Sequence, residues 1–268
     1  MQILINIEGV YIKFLPSSDF DFSTLEKVRT YNLLSKAGCP VLKSVLIENN
    51  DILSSKSINQ IARYLGSNYC TLRYQYIEPN KNPVRGGNRV KLDYDIITKK
   101  IVSGALLWLM EPLDRLNNLF GINMLFDRKY SKLIFECVGR GFDTSNLNRS
   151  DICPHQIIYL DLPIEYGWNG EWWKYANFEF VSDKNYQESK FIRLQNLKEL
   201  GINASIDIFP AYYEPLPMYT ISRLLEYAEL IYNCFRDNYF VVTSSIVGAR
   251  FIFWDISTPS GKISIYTE

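Results

Sequence analysis

The stretch Gly121-Ile-Asn-Met-Leu-Phe-Asp-Arg-Lys-Tyr-Ser-Lys-Leu-Ile-Phe-Glu-Cys-Val138 holds two short runs rich in branched and aromatic residues, 121–127 and 132–138. Runs of this length and composition read as β-strands. Further runs of the same kind cover 69–75, 101–110, 155–162, 239–243, 250–256 and 263–266. Helices flank the block. Ser23-Thr-Leu-Glu26 is a capping box that opens one, and Gly38 stops it after Lys36 and Ala37. Ile58, Ile61, Ala62 and Leu65 recur at helical spacing before Gly66. A third helix is expected over 184–200 with Phe191, Leu194 and Leu197 as its apolar face. The fourth follows Pro217 with a broad stripe from Ile221 to Phe235. Helices early and late with strands between predict an α+β chain with mainly antiparallel sheets. The segment 165–177, holding Trp168, Trp172 and Trp173, interrupts this pattern. It reads either as an insertion or lid, or as aromatics packing a long loop onto the body.

The 268 residues suit one large domain or two small ones. Lys+Arg and Asp+Glu balance at 29 each, so the formal net charge is zero. That excludes an extended charged disordered chain and broad, non-specific nucleic-acid binding, which needs a positive field. Any basic site must be local. Aromatics reach 15%, enough to fill a core, stack on bases or form interfaces. Five cysteines, at 39, 70, 137, 153 and 234, make no CxxC pair, so neither a zinc ribbon nor a thioredoxin-like motif is supported. Cys70, Cys137 and Cys234 lie in apolar runs and read as small buried hydrophobes of a reducing compartment. The first residues lack the basic region and apolar core of a signal peptide, and the apolar stretch 105–110 is too short to span a bilayer. A cytoplasmic protein is the expectation.

Positive charge gathers in 73–91, where Arg73, Lys81, Arg85, Arg89 and Lys91 surround Gly86-Gly87. Paired glycines let backbone N–H groups approach an anion, and guanidinium groups fork onto phosphate oxygens. The same stretch serves equally as a solvated hairpin whose Gly-Gly only makes the turn. Val138-Gly-Arg-Gly-Phe-Asp143 has no third glycine and no βαβ unit, so it reads as a tight turn. His155 is the only histidine, which argues against zinc, and no Gly-x-Ser-x-Gly elbow supports a triad; it reads as structural. Asp255 sits in the apolar run Phe251-Ile-Phe-Trp-Asp-Ile256. A carboxylate there needs pairing, hydrogen bonds or a metal, and facing a cleft it suits magnesium. The alternative is an Asp at a strand end, bonded to the following turn.

In order and spacing these pieces resemble the ATP-grasp domain of the pyruvate phosphate dikinase and phosphoenolpyruvate synthase type. Lys27 followed by Ala37-Gly38-Cys-Pro-Val41 is similar to that family's opening. Leu72-Arg73 and the loop ending in Gly86-Gly87 are similar to its phosphate-binding loop, and 107–112 resembles the hinge strand whose backbone reads adenine. The runs 121–127 and 132–138 with Gly139-x-Gly141, then 221–235, 239–243 and 250–256, resemble its central and closing segments. The departures are clear. The opening glycines before Lys27 are missing, Tyr74-Gln75 stands for Ser-Ser, and Thr243, Ser244 or Ser245 stands where the family carries a magnesium-binding acid.

The resemblance implies two α+β subdomains with mainly antiparallel sheets enclosing a nucleotide cleft, divided as 1–105 and 106–268, the latter with a Trp-rich insertion near 165–217. ATP and magnesium are the implied cofactors. Lys27, Arg73, Arg85, Gly86 and Gly87 would hold phosphates, Leu109 and Glu111 the adenine and ribose, and Glu136 and Asp255 magnesium. Arg73, Arg140 and Arg149 are the candidate catalytic residues, the last two steadying an acceptor. The implied activity is ATP-dependent ligation of a carboxylate to an amine through an acyl phosphate, or phosphoryl transfer to a small-molecule acceptor. The competing expectation is a nucleotide-binding or interaction module without turnover that meets a protein through its Trp-rich segment. Neutral charge disfavours nucleic acid, although the 73–91 patch leaves an RNA-end ligase open, and no membrane is expected.

Overall fold

The computed structural model describes residues 5–7, 10–16, 25–47, 53–76, 86–113, 118–162, 171–199 and 201–259. Among these the strands form two six-stranded sheets, antiparallel throughout. The chain divides into two units, Met1–Lys36 with Val41–Leu113, and Ala37–Pro40 with Asp114–Glu268. It is an α+β fold with antiparallel sheets, as the distribution of strand-like and helical runs predicts.

The first unit orders its strands β1 (Ile5–Ile7), β2 (Val10–Leu15), β3 (Ser44–Ile47), β6 (Ala105–Met110), β4 (Tyr69–Tyr76) and β5 (Gly87–Lys91). Helix α1 (Glu26–Lys36) precedes β3, α2 (Ser55–Leu65) precedes β4, and the short α3 (Tyr94–Thr98) follows β5. Both ends of α2 are built by its sequence. The Ser54 hydroxyl accepts from Ser57 N–H at 3.1 Å, and Gly66 stops the helix at φ +69°. Its stripe Ile58, Ile61 and Leu65 is buried with Val45, Ile47, Leu72, Leu107 and Leu109. Successive strand residues face opposite sides, so Trp108 points the other way, edge-on to Tyr31 of α1 at 5.3 Å, its indole N–H donating to Ser44 Oγ at 2.9 Å. The unit boundary falls after Leu113, not at 105 as the sequence suggested. Strand β6 is paired on both sides, by β3 and β4, and so belongs wholly to the first sheet. The strand also starts later than expected, because Gly104 turns the chain at φ +74°.

The second unit orders β10 (Asn177–Phe180), β9 (Gln156–Asp161), β8 (Lys132–Val138), β7 (Asn118–Asp127), β11 (Tyr239–Val247) and β12 (Arg250–Ser257). Three helices accompany it: α4 (Thr144–Asn148), α5 (Asp183–Glu199) and α6 (Met218–Cys234). One face of the sheet is largely apolar, with Ile122, Met124, Phe126, Leu133, Phe135, Phe240 and Val242 all inaccessible. Phe126 and Phe240 stack at 4.6 Å, and Phe235 at the end of α6 lies 5.8 Å from Phe240. Helix α6 buries the expected stripe Ile221, Leu224, Leu225, Ala228 and Ile231.

Helix α5 meets expectation at Leu197, which is buried, and at Leu194, which packs partly buried on the core, and departs from it at Phe191. Its buried residues are Tyr186, Ser189, Lys190, Arg193 and Leu197, while Phe191 is 66% exposed. Polar partners inside bring basic residues to the same buried face: Lys190 Nζ donates to the Ala211 carbonyl at 3.1 Å, and Arg193 Nε to the Gly141 carbonyl at 3.2 Å. Strand β11 runs past 243, with Ser244 Oγ donating to the Ile122 carbonyl. The capping box at Ser23 and the run 263–266 lie outside the described residues, as does Trp168. Among the described residues no helix is long and apolar enough to cross a membrane.

Candidate functional site

In the first unit the sequence around Gly86-Gly87 folds as the start of β5, laid against β4. A β-carbon on Gly86 would stand 2.0 Å from the Leu72 carbonyl oxygen and 3.2 Å from Arg73 Cα, so only glycine fits. Gly87 pairs with Leu72. Arg73 is half-buried and in register with Trp108, on the α1 side of the sheet. Tyr31, Arg73 and Glu111 come together there: burial pushes the Tyr31 hydroxyl pKa well up, the Ser44 side chain opposes this, Tyr64 and Glu111 add to it, and Arg73 opposes it. Glu111 is tied to Lys43 twice, its Oε2 accepting from Lys43 N–H and its own N–H donating to the Lys43 carbonyl, both at 2.9 Å. Lys27 is exposed in the first turn of α1. Arg85 and Lys81 lie outside the described residues.

Leu109 does not line a surface. Its side chain is inaccessible in the core, and its position in β6 is paired with Val45 on one side and Leu72 on the other. The backbone of β6 is engaged on both sides, and the ladder ends at Met110.

In the second unit, register brings four oxygen-bearing side chains into one row. Glu136 pairs with Asn123, Asn123 with Thr243, and Thr243 with Asp255, across β8, β7, β11 and β12. All four lie on the face opposite the apolar one, and Glu136, Thr243 and Asp255 are half-buried. Trp254 is an extra residue in β12 opposite the step from Thr243 to Ser244; its indole N–H donates to Ser245 Oγ at 3.0 Å. Such bulges re-aim the neighbouring side chain, here Asp255. Asn123 is 4% exposed and held at both ends of its amide, Nδ2 donating to Asn148 Oδ1 at 2.9 Å and Oδ1 accepting from Thr243 Oγ1 at 3.4 Å. Asn148 ends α4, which is itself capped by Asp143, whose carboxylate pairs with the buried Arg193 at 3.5 Å. Asn148 and Arg193 carried no signal in the sequence, because their partners are distant in the chain.

Arg140 is exposed on the turn after β8. Arg149, also exposed, is bound by Asp151 at 3.1 Å and donates to the Ser145 carbonyl. The glycines flanking Arg140 serve packing. A β-carbon on Gly141, at φ +85°, would meet the Phe209 ring at 2.7 Å, and one on Gly139 would meet Tyr213 at 3.1 Å. His155 lies behind this turn, inaccessible among Phe142, Tyr186 and Tyr213 at 4.5, 4.9 and 5.4 Å, its Nδ1 accepting from Gly139 N–H. Burial lowers its pKa to about 3.

No family model matches the sequence. No curated protein matches it. Among solved structures, the chain is similar to the macrocyclase MdnC bound with precursor peptide MdnA, from Microcystis aeruginosa MRC, at 9% identity and a TM-score of 0.38, over 88% of this chain and 55% of that one. It is also similar to PH1788 from Pyrococcus horikoshii Ot3, at 11% identity and a TM-score of 0.40, over 91% and 92%. The chain thus spans about half the length of the macrocyclase.

Chemically, the oxygen row is a set of hard donors, two carboxylates, an amide and a hydroxyl, of the kind magnesium prefers. Its carboxylates stand at opposite ends. With strands about 4.8 Å apart, their backbones are about 14 Å from one another, too far to share one ion. Among the described residues no three His, Cys, Asp or Glu side chains cluster closely enough to hold a metal by themselves. Water or other oxygen ligands would have to complete the shell of any ion held there.

Proposed function

We propose that the chain is an ATP-grasp-like, ATP-dependent ligase that activates a carboxylate as an acyl phosphate for attack by an amine. The observation that supports the reading is the glycine pair at the start of β5, with Gly86 packed against the Leu72 carbonyl and Arg73 Cα, and Arg73 half-buried on the neighbouring strand. Arg73, Gly86 and Gly87 are assigned to the phosphates, and the residues from Glu111 onward to the adenine and ribose. Glu136 with Asn123 and, separately, Asp255 with Thr243 are assigned to magnesium. A substrate carboxylate oxygen attacks the terminal phosphorus, the bond to the bridging oxygen breaks and ADP leaves. The amine nitrogen then attacks the acyl carbon, and phosphate departs as the amine loses a proton. Catalysis of this kind is chiefly positioning and charge stabilisation. Arg140, exposed on its turn, is the candidate for steadying an anionic acceptor; Arg149 has Asp151 to satisfy first.

ADP release in the presence of magnesium, over a panel of carboxylates and amines, tests the activity. Trapping with hydroxylamine separates an acyl phosphate, which yields a hydroxamate, from phosphoryl transfer to another acceptor, which does not. A second reading draws on Thr243, a hydroxyl where the resembled family has an acid: a nucleotide-binding module without turnover, meeting a partner protein. Trp172 is buried, its indole bonded to Ser222, but Trp173 and Tyr175 are 46% and 47% exposed and suit such a contact. ATP binding by calorimetry with no ADP formed under any acceptor supports this second reading; absence of nucleotide binding sinks both.

A further inference from the structure

The β4–β5 hairpin contains an exposed asparagine bonded to two distant parts of its unit. Asn88 Oδ1 accepts from Thr71 Oγ1 at 2.9 Å, and Asn88 Nδ2 donates to the Leu113 carbonyl at 3.2 Å. Thr71 is 2% exposed on β4, and Leu113 lies just beyond β6. The backbone is distorted where these bonds form. Pairing passes from Cys70 with Val90 to Leu72 with Gly87, so Asn88 and Arg89 together stand opposite Thr71. Arg89 adopts φ +52°, the left-handed region that non-glycine residues enter at a cost. A costly conformation persists where surrounding bonds hold it, and the two Asn88 bonds are such a hold.

We propose that Asn88 is a positioning residue that latches the Gly86-Gly87 start of β5 to the 111–113 segment and thereby favours adenosine triphosphate over adenosine. This rests on the nucleotide reading given above. The glycine pair immediately precedes Asn88 and is assigned the phosphates; the segment that Asn88 grips is assigned the adenine and ribose. Fixing one against the other removes freedom that a nucleotide spanning both would otherwise have to freeze on binding. A nucleoside, touching only the 111–113 end, gains nothing from the latch. Thr71 acts through Asn88 by holding its amide from the opposite side.

Calorimetric titration of the full chain with ATP and with adenosine tests this in four forms: wild type, Asn88→Ala, Thr71→Val and Thr71→Ser. With one to two hydrogen bonds lost, ATP affinity should fall about tenfold in N88A and about threefold in T71V. Adenosine affinity should stay within about twofold, and T71S, which keeps the hydroxyl, should restore ATP affinity. A partly misfolded variant lowers the binding stoichiometry rather than the ratio of the two affinities, and T71V, nearly isosteric, reports if N88A does not fold. Equal loss for ATP and adenosine, or wild-type ATP affinity in both N88A and T71V, overturns the latch while leaving the nucleotide reading in place. Failure of the wild type to bind either ligand overturns both.

Discussion

At the scale of single residues, the chain's one histidine gives a pH-dependent prediction. His155 accepts a backbone N–H through Nδ1, so its proton sits on Nε2, buried among three aromatic rings. Its folded pKa, about 3, lies below the ordinary 6.5 because burial penalises the charge. Between those values the unfolded chain holds a proton that the folded chain does not. The stability due to neutral His155 is therefore complete above pH 6.5 and is lost progressively as the pH falls toward 3. The slope approaches about 1.4 kcal/mol per pH unit. Urea unfolding of wild type and His155→Gln at pH 7, 6, 5 and 4 should show a shallower acid decline in the variant; parallel declines would mean that another group controls it. Arg73 offers the matching test at the candidate site. Arg73→Ala should weaken ATP binding at least tenfold, as loss of a charge-assisted bond worth about 1.5–3 kcal/mol implies, with or without magnesium. Unchanged affinity in titration calorimetry refutes its assignment.

Elements show where sequence reasoning works and where it stops. Helix α2 was legible because the Ser54 cap, the apolar stripe and the Gly66 stop are all local. Helix α5 was legible only in part: what brings Lys190 and Arg193 to its inner face is the Gly141 and Ala211 carbonyls and the Asp143 carboxylate, none of which neighbours it in sequence. Its Arg193 is 2% exposed, so Arg193→Met should leave Asp143 short of its counter-charge and cost about 3 kcal/mol in chemical denaturation. Loss of less than about 1 kcal/mol would show that water or the α4 cap satisfies Asp143 alone. In the β4–β5 hairpin the sequence left two meanings for Gly-Gly open. The geometry adds that Gly86 is required for packing whatever else it does. Gly86→Ala forces the strands apart and should cost about 1–3 kcal/mol, measured by the same unfolding assay. Full stability would mean that the glycine pair can shift freely, and with it the case for a fixed anion site at this position would weaken.

For the whole molecule, the antiparallel α+β plan followed from the distribution of strand-like and helical runs. The row Glu136, Asn123, Thr243 and Asp255 did not. Each residue's strand was readable, but which residue faces which depends on pairings that join position 123 to 243 and 243 to 255. The Trp254 bulge shifts that alignment by one, enough to decide which residue of β12 completes the row. The neutral chain places two carboxylates, Glu136 and Asp255, at the ends of a polar row in one unit and a half-buried arginine beside a glycine pair in the other. These two features predict different responses to substitution. Asp255→Asn keeps the side chain's size but removes the charge and replaces one acceptor oxygen with a donor. In calorimetric titrations it should leave magnesium-free ATP binding unchanged and abolish most of the gain in affinity that magnesium brings, raising the magnesium needed for half-effect about tenfold. Glu136→Gln, at the far end of the row, should act independently, its effect adding to that of Asp255→Asn in the double variant, because groups with about 14 Å between their backbones share no ion. Arg73→Ala behaves oppositely, weakening ATP to the same degree at every magnesium concentration. If Asp255→Asn instead mirrors Arg73→Ala, or leaves magnesium dependence intact, the oxygen row is a structural feature of the sheet and the metal assignment fails.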